Sequence, residues 1–177
     1  MNGLELVRGF VARGYTPQQA AALAGHALQE SGGDPSNVNQ KEDAHGILQF
    51  RGSRWQGLQD FAKSQGKDPT DANVQMDYVK REMSGPEAKS AAGFMGASDV
   101  AGASAALKPY IRFGDNSADQ RLKNSMNLYS QYTGAPAAPV GALSGPGAPS
   151  DPTSPIDPTA TGAGIPTSLA APPPQVG

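Results

Sequence analysis

The chain has 177 residues, with 14 Lys plus Arg against 16 Asp plus Glu, a net charge of −2 and no cysteine. That composition excludes disulfides and thiol catalysis, makes two histidines a poor basis for a zinc site, and lacks the strongly basic stripe that nucleic-acid binding uses. It is also uneven: residues 134–177 hold 11 of the 16 prolines and 7 of the 22 glycines, with Asp151 and Asp157 their only charges.

Such a stretch has too little to bury to offset its ordering entropy. The folding unit is therefore expected within residues 1–133, with 134–177 as a Pro/Gly/Ala-rich linker or tail, disordered or extended. No run of about 18 apolar residues is present, so no membrane span is expected. Met1 to Tyr15 is amphipathic without an uninterrupted apolar core, so no secretory signal is expected either.

Leu4, Val7, Phe10 and Val11 recur at helical spacing from Gly3 to Arg13, ahead of Gly14. Thr16, Pro17 and Gln19 then form a strong helix start, a capping residue, a first-turn proline and a capping-box partner. That helix is predicted to run to Ser31, with Ala20, Leu23, Ala24, Ala27 and Leu28 on one face, and to stop at Gly32-Gly33-Asp34-Pro35. Residues 32–46 read as a loop and Ile47 to Phe50 as a short strand or extended run. Further helices are predicted from a Ser53 cap to Gln65, from Asp71 to Met83, from Pro86 to Gly93, from Ser98 to Lys108 ahead of Pro109, and from Ser117 to Tyr132. The expectation is a mainly α domain of six or seven short helices with a small irregular or β segment near 32–50.

Glu30 is the first candidate for chemistry. It lies seven residues after Leu23 and three after Ala27, beside the apolar face and at the C-terminal end of its helix. Burial and the negative end of the helix dipole both favour a neutral carboxyl, which suits a general acid. A semi-exposed Glu in a frayed last turn fits the same spacing. His26, one turn earlier, is placed to hydrogen-bond Glu30 or to sit as a satisfied boundary histidine.

The loop contains Asp34, Glu42, Asp43 and His45. Asp43 is selected as a second carboxylate that would orient a water or stabilise charge on a sugar ring, although solvated loop charges would look the same. Gln49 is a lone polar side chain in the apolar run Gly46-Ile47-Leu48-Gln49-Phe50 and needs a partner if buried, either a backbone group or a sugar amide. Tyr110, Arg112 and Phe113 follow the proline and could wall a groove, or be core aromatics with a surface Arg. Trp55 reads as core first and sugar platform second.

Ala27-Leu28-Gln29-Glu30-Ser31-Gly32-Gly33-Asp34-Pro35, followed by Ala44-His45-Gly46-Ile47-Leu48-Gln49-Phe50, resembles the lytic transglycosylases and goose-type lysozymes. There a helix ends in Glu-Ser and a Gly-(Leu/Ile)-(Met/Leu)-Gln segment follows. The phage tail lysozyme family is the closer resemblance. Gly14 to Ala21 is similar to its opening helix, Gly46 to Trp55 to its Gly-Ile-x-Gln-(Trp/Phe)-x-Gly-x-Arg segment, and Gln75 to Glu82 to its next helix.

The resemblance implies a lysozyme-like fold with a cleft beside the Glu30 helix, Glu30 as general acid/base, and Ser31, Gly46 and Gln49 as cleft residues. His45, Tyr110 and Arg112 complete the expected substrate contacts, with no metal or cofactor. The chain departs from the family at Tyr110-Ile111-Arg112-Phe113, where a Tyr-Glu-Arg-Pro-like stretch is common, at Asp34, and at His26.

The expected activity is cleavage of the β-1,4 bond between the two amino sugars of peptidoglycan. The expected setting is a phage virion, as a tail or internal protein acting in the host periplasm or cell wall. The tail is the candidate contact to other virion or tail proteins. A catalytically weak or inactive virion protein on the same scaffold is the alternative.

Overall fold

The computed structural model describes residues 1–135, and the tail prediction falls almost wholly outside them. The described chain is mainly helical, with seven helices, one further helical turn and a small three-stranded sheet. In order these are α1 (Gly3–Val11), α2 (Pro17–Ser31), β1 (Val38–Asn39), β2 (Ala44–His45), β3 (Phe50–Arg51), α3 (Ser53–Ser64), α4 (Ala72–Ser84), α5 (Ala88–Met95), α6 (Val100–Ala106), α7 (Lys108–Ile111) and α8 (Ala118–Thr133). The strands pair antiparallel in the order β1-β2-β3, with Val38 opposite His45 and His45 opposite Phe50. None of the described helices is long and apolar enough to cross a membrane.

Helix α2 is the central element. Its start is the expected capping box: the Thr16 side chain accepts from the Gln19 N–H, and Gln19 reaches back to the Thr16 N–H. Its end is fixed by Gly32 in the left-handed region (φ 66°), whose N–H bonds the Leu28 carbonyl at 3.0 Å. Residues Ala20 to Ala27 are buried all round. Small side chains let neighbouring helices approach closely, most of all at Gly25, where an added Cβ would collide with Ser125 of α8. From that crossing α8 runs antiparallel to α2, so that Arg121 comes to lie against Glu30.

Several boundaries differ from expectation, among them the helix expected at 86–93, which is Ala88–Met95. Gly52, not Ser53, caps α3, and Ser53 is its first residue. The predicted helix at 98–108 is shorter, because Asp99 caps it by accepting from the Gly102 N–H at 2.7 Å. Pro109 does not end a helix but sits in the first turn of α7, where its missing N–H costs nothing. The Ile47–Phe50 run is not a strand: residues 46–49 form a turn and only Phe50 enters β3.

Candidate active site

A cleft of about 420 Å³ opens between the end of α2, the 46–51 segment, the 111–115 segment and the start of α8. Glu30 lines it, with Gln49, Arg51, Arg112 and Arg121 around it and Glu42 and Asp115 as the other carboxylates. Leu48, Ile111 and Phe113 supply apolar wall.

Glu30 is 16 % exposed, and Arg121, 3 % exposed, donates from Nη1 to its Oε1 at 2.8 Å. Among the described residues no group hydrogen-bonds the other oxygen, Oε2. Arg121 is itself fixed. Its Nε donates to Ser117 Oγ at 2.7 Å, its Nη2 lies 3.7 Å from Asp115, and its guanidinium sits 4.0 Å from the Phe113 ring centroid. Burial is the largest influence on the Glu30 carboxyl and raises it above the usual carboxylate range. The charge and hydrogen bond of Arg121 pull it down, Asp115 pushes it up, and Arg51 pulls it down, with a net rise. His26 does not bond Glu30. Its Nε2 lies 3.1 Å from both the carbonyl oxygen and Oγ of Ser104, and burial, followed by the charge of Arg121, pushes it down to about 3, so it is neutral.

This arrangement predicts a titration. Arg121→Gln removes the nearby positive charge that favours the carboxylate, so the Glu30 midpoint moves to higher pH than in the unsubstituted protein. Carboxyl-carbon NMR of Glu30 against pH reads the shift; an unmoved or lower midpoint overturns the assigned influence of Arg121.

Of the sequence-predicted residues, Glu30, Gln49 and Arg112 meet in the cleft. Gln49 is held with φ 51° and Arg112 with φ 63°, both in the left-handed region that non-glycine residues rarely enter. Gln49 Nε2 donates to Asn37 Oδ1 at 3.1 Å and to the Gly46 carbonyl at 3.0 Å, so its partners are protein groups. Arg112 Nη2 donates to both oxygens of Glu87 at 2.7 Å.

Phe113 lines the cleft as well, whereas Asp43, His45, Ser31, Gly46 and Tyr110 lie outside its lining. Asp43 is 83 % exposed and pairs with His45 Nε2 at 2.8 Å, while the His45 ring stacks on Trp55 with centroids 4.2 Å apart. Asp43 is therefore replaced as the cleft's second carboxylate by Glu42 and Asp115. Ser31 Oγ donates to the Ala27 and Ile47 carbonyls, tying the end of α2 to the 46–49 turn. Gly46 (φ 74°) has no room for a side chain, since a Cβ would lie 2.5 Å from Gln75 Oε1. Gln75 in turn accepts from the Ile47 N–H at 2.8 Å. These two residues build the cleft without facing it.

Tyr110 is a correction: it is fully buried, and its hydroxyl donates to Glu82 Oε2 at 2.7 Å. Glu82 also accepts from Arg54 Nε at 2.8 Å and Nη2 at 2.7 Å, and Arg54 Nη1 donates to the Tyr110 carbonyl at 3.2 Å. This network supports the wall that carries Ile111 and Arg112.

Sequence reasoning missed Arg121. The available signal was its spacing to Ser125 and Leu128, which shares the buried stripe of α8. Among the described residues no cluster of three or more His, Asp or Glu side chains is disposed to hold a metal ion.

Neither the curated proteins nor the solved structures contain a significant match to the chain. The sequence model described as phage tail lysozyme matches residues 2–132, nearly all of the described helical domain. The chain therefore belongs to the phage tail lysozyme family, a phage-associated group of lysozyme-like, peptidoglycan-degrading proteins.

Proposed function

We propose that the protein cleaves the β-1,4 bond between N-acetylmuramic acid and N-acetylglucosamine in peptidoglycan, with Glu30 as general acid and then base. The observation that carries this is the state of Glu30: one oxygen held by a fixed arginine, the other without a partner among the described residues, in a cleft where burial favours the protonated form. The protonated carboxyl donates to the glycosidic oxygen, the C1–O bond breaks, and positive charge develops at the anomeric carbon. The Glu30 carboxylate then takes the proton of the hydroxyl that attacks that carbon.

The attacking hydroxyl is either water, giving a reducing end, or the C6 hydroxyl of the same sugar, giving an anhydro end. The second course is favoured by the cleft's other carboxylates being engaged, Glu42 with Arg51 at 2.7 Å and Asp115 with Ser117 and Arg121. A free carboxylate to activate water is not among them.

We place the protein in a phage particle, acting on the host wall, with residues 134–177 as the contact to neighbouring virion proteins. Purified full-length protein incubated with peptidoglycan sacculi tests the activity. Soluble muropeptides are expected, predominantly with anhydro ends by mass spectrometry. Reducing ends would move the assignment to hydrolysis, and no release at all would leave a scaffold protein.

A further inference from the structure

We propose that a small recess flanked by Arg51, Arg54 and Arg112, beside the Glu30 cleft, binds a carboxylate carried by the glycan strand next to the bond that is cut. The inference rests on the glycan-strand substrate proposed above and extends it to the anionic group the enzyme recognises.

The recess measures about 90 Å³ and is lined by the three arginines with Gln49, Ser53 and Ile111. That is room for several waters and enough for a carboxylate. It shares Gln49, Arg51, Ile111 and Arg112 with the cleft that holds Glu30, so a strand lying in the cleft passes its mouth.

Every charged side chain in its wall is positive. The carboxylates that pair with these arginines are Glu42, Glu82 and Glu87, and none of the three lines the recess. They orient the guanidiniums from outside it. Arg54 is saturated by Glu82 and the Tyr110 carbonyl and contributes a fixed charge. Arg51 uses only Nη1 in the fold and Arg112 only Nη2 among the described residues, so each keeps Nε and its other terminal nitrogen for a ligand. Both are half exposed, at 50 % and 52 %. Two forked guanidiniums with spare donors suit a planar anion held by paired hydrogen bonds.

Arg112 is held in the left-handed region (φ 63°), which turns its side chain at a backbone cost. Its reach to Glu87 uses one nitrogen and leaves the rest of the fork free. In a strand of alternating amino sugars only the muramyl residues carry the anion, either on the lactyl group itself or on the stem peptide attached to it. A carboxylate site beside the acid would therefore fix which of the two glycosidic bonds meets Glu30.

The test measures binding, so that it stands apart from turnover. The full chain carrying Glu30→Gln is titrated with soluble glycan strands of two kinds: peptide-bearing, and stripped by an amidase so that only the lactyl carboxylate remains. Each kind is used as such and after carbodiimide coupling to methylamine, which neutralises its carboxylates. The same titrations are run with Arg51→Gln and Arg112→Gln added.

Neutralisation is expected to raise Kd about tenfold for at least one strand kind, the size of one charge-assisted hydrogen-bond pair, and the kind affected identifies the carboxylate. With both arginines replaced, the factor should fall below about twofold. Equal Kd values for charged and neutralised strands of both kinds overturn the recess, as does a full charge effect that survives both substitutions. Where the combined variant does not melt cooperatively, Arg51→Gln alone decides on the same criterion, with a halved logarithmic effect expected. Inactivity of the unsubstituted enzyme on sacculi would sink the glycosidase assignment without touching these binding ratios.

Discussion

Glu30→Gln is expected to lower peptidoglycan cleavage by about 10²–10⁴-fold, the usual contribution of a positioned general acid. Glutamine keeps the shape of the side chain and an oxygen able to accept from Arg121 Nη1, so the 2.8 Å contact and the packing around it can persist. What is lost is the proton at Oε2.

Stability should move the other way. The folded protein holds the Glu30 proton to higher pH than the unfolded chain does, because burial outweighs Arg121. Folding is therefore weakened as pH rises from the ordinary carboxylate range through the raised folded value, and stays weakened above it. A residue that does not ionise escapes that cost. At neutral pH the variant is expected to melt no lower than the parent, and at acid pH, where Glu30 is protonated in both states, any difference should vanish. Muropeptide release and thermal melting at two pH values check both halves. Retained activity in Glu30→Gln would remove the acid from Glu30, and a marked loss of stability would show that the carboxylate is structural.

The helical scaffold was largely legible because its signals are local. The capping box Thr16–Gln19, the glycine stop after Ser31 and the apolar face between them are all within one helix, and together they placed Glu30 in the last turn of α2, beside its buried face. The cleft around Glu30 was less so, because its partners come from far along the chain. Arg121 is 91 residues away, and nothing in α2 announces that α8 passes close enough to bring it in.

Asp43 was chosen by proximity to Gly46, but the tight β1–β2 connection turns it outward to His45, while its neighbour Glu42 lies in the cleft lining. Asp43 lies in the turn itself with φ 48°, a conformation the sequence does not announce for a non-glycine residue. Tyr110 has the composition of a sugar platform, and only its burial against Glu82 separates the two roles. Gly46 was expected among the cleft residues, yet the space beside its Cα is taken by the Gln75 side chain.

Among the arginine–glutamate pairs, Arg54–Glu82 serves the opposite purpose to Arg121–Glu30, and it carries the largest expected stability effect. Glu82→Ala should destabilise the fold by about 3–5 kcal/mol, a fall in Tm of roughly 10–20 °C for a domain of this size. Glu82 is 2 % exposed and accepts three hydrogen bonds, two from Arg54 and one from Tyr110. Its removal leaves the Arg54 guanidinium, 12 % exposed, with only the Tyr110 carbonyl as hydrogen-bond partner, and orphans the buried Tyr110 hydroxyl. The Arg54 guanidinium also stacks 4.5 Å from the Tyr110 ring centroid and 5.2 Å from that of Phe50, so it ties α3 to both α7 and β3.

Removing both charges at once should cost far less. Arg54→Met with Glu82→Leu and Tyr110→Phe replaces the network by apolar groups of similar volume, and this combined variant is expected to recover much of the loss of Glu82→Ala. Equal melting of Glu82→Ala and the parent would mean that the network is not what holds α7. The consequence for the site is distinct from that of Glu30. Because α7 ends at Ile111 and leads into Arg112, loosening it should weaken binding along the cleft wall while leaving the Glu30–Arg121 pair on α2 and α8 intact. The Glu30 titration midpoint, measured in Glu82→Ala below its melting temperature, is therefore expected to stay close to that of the parent.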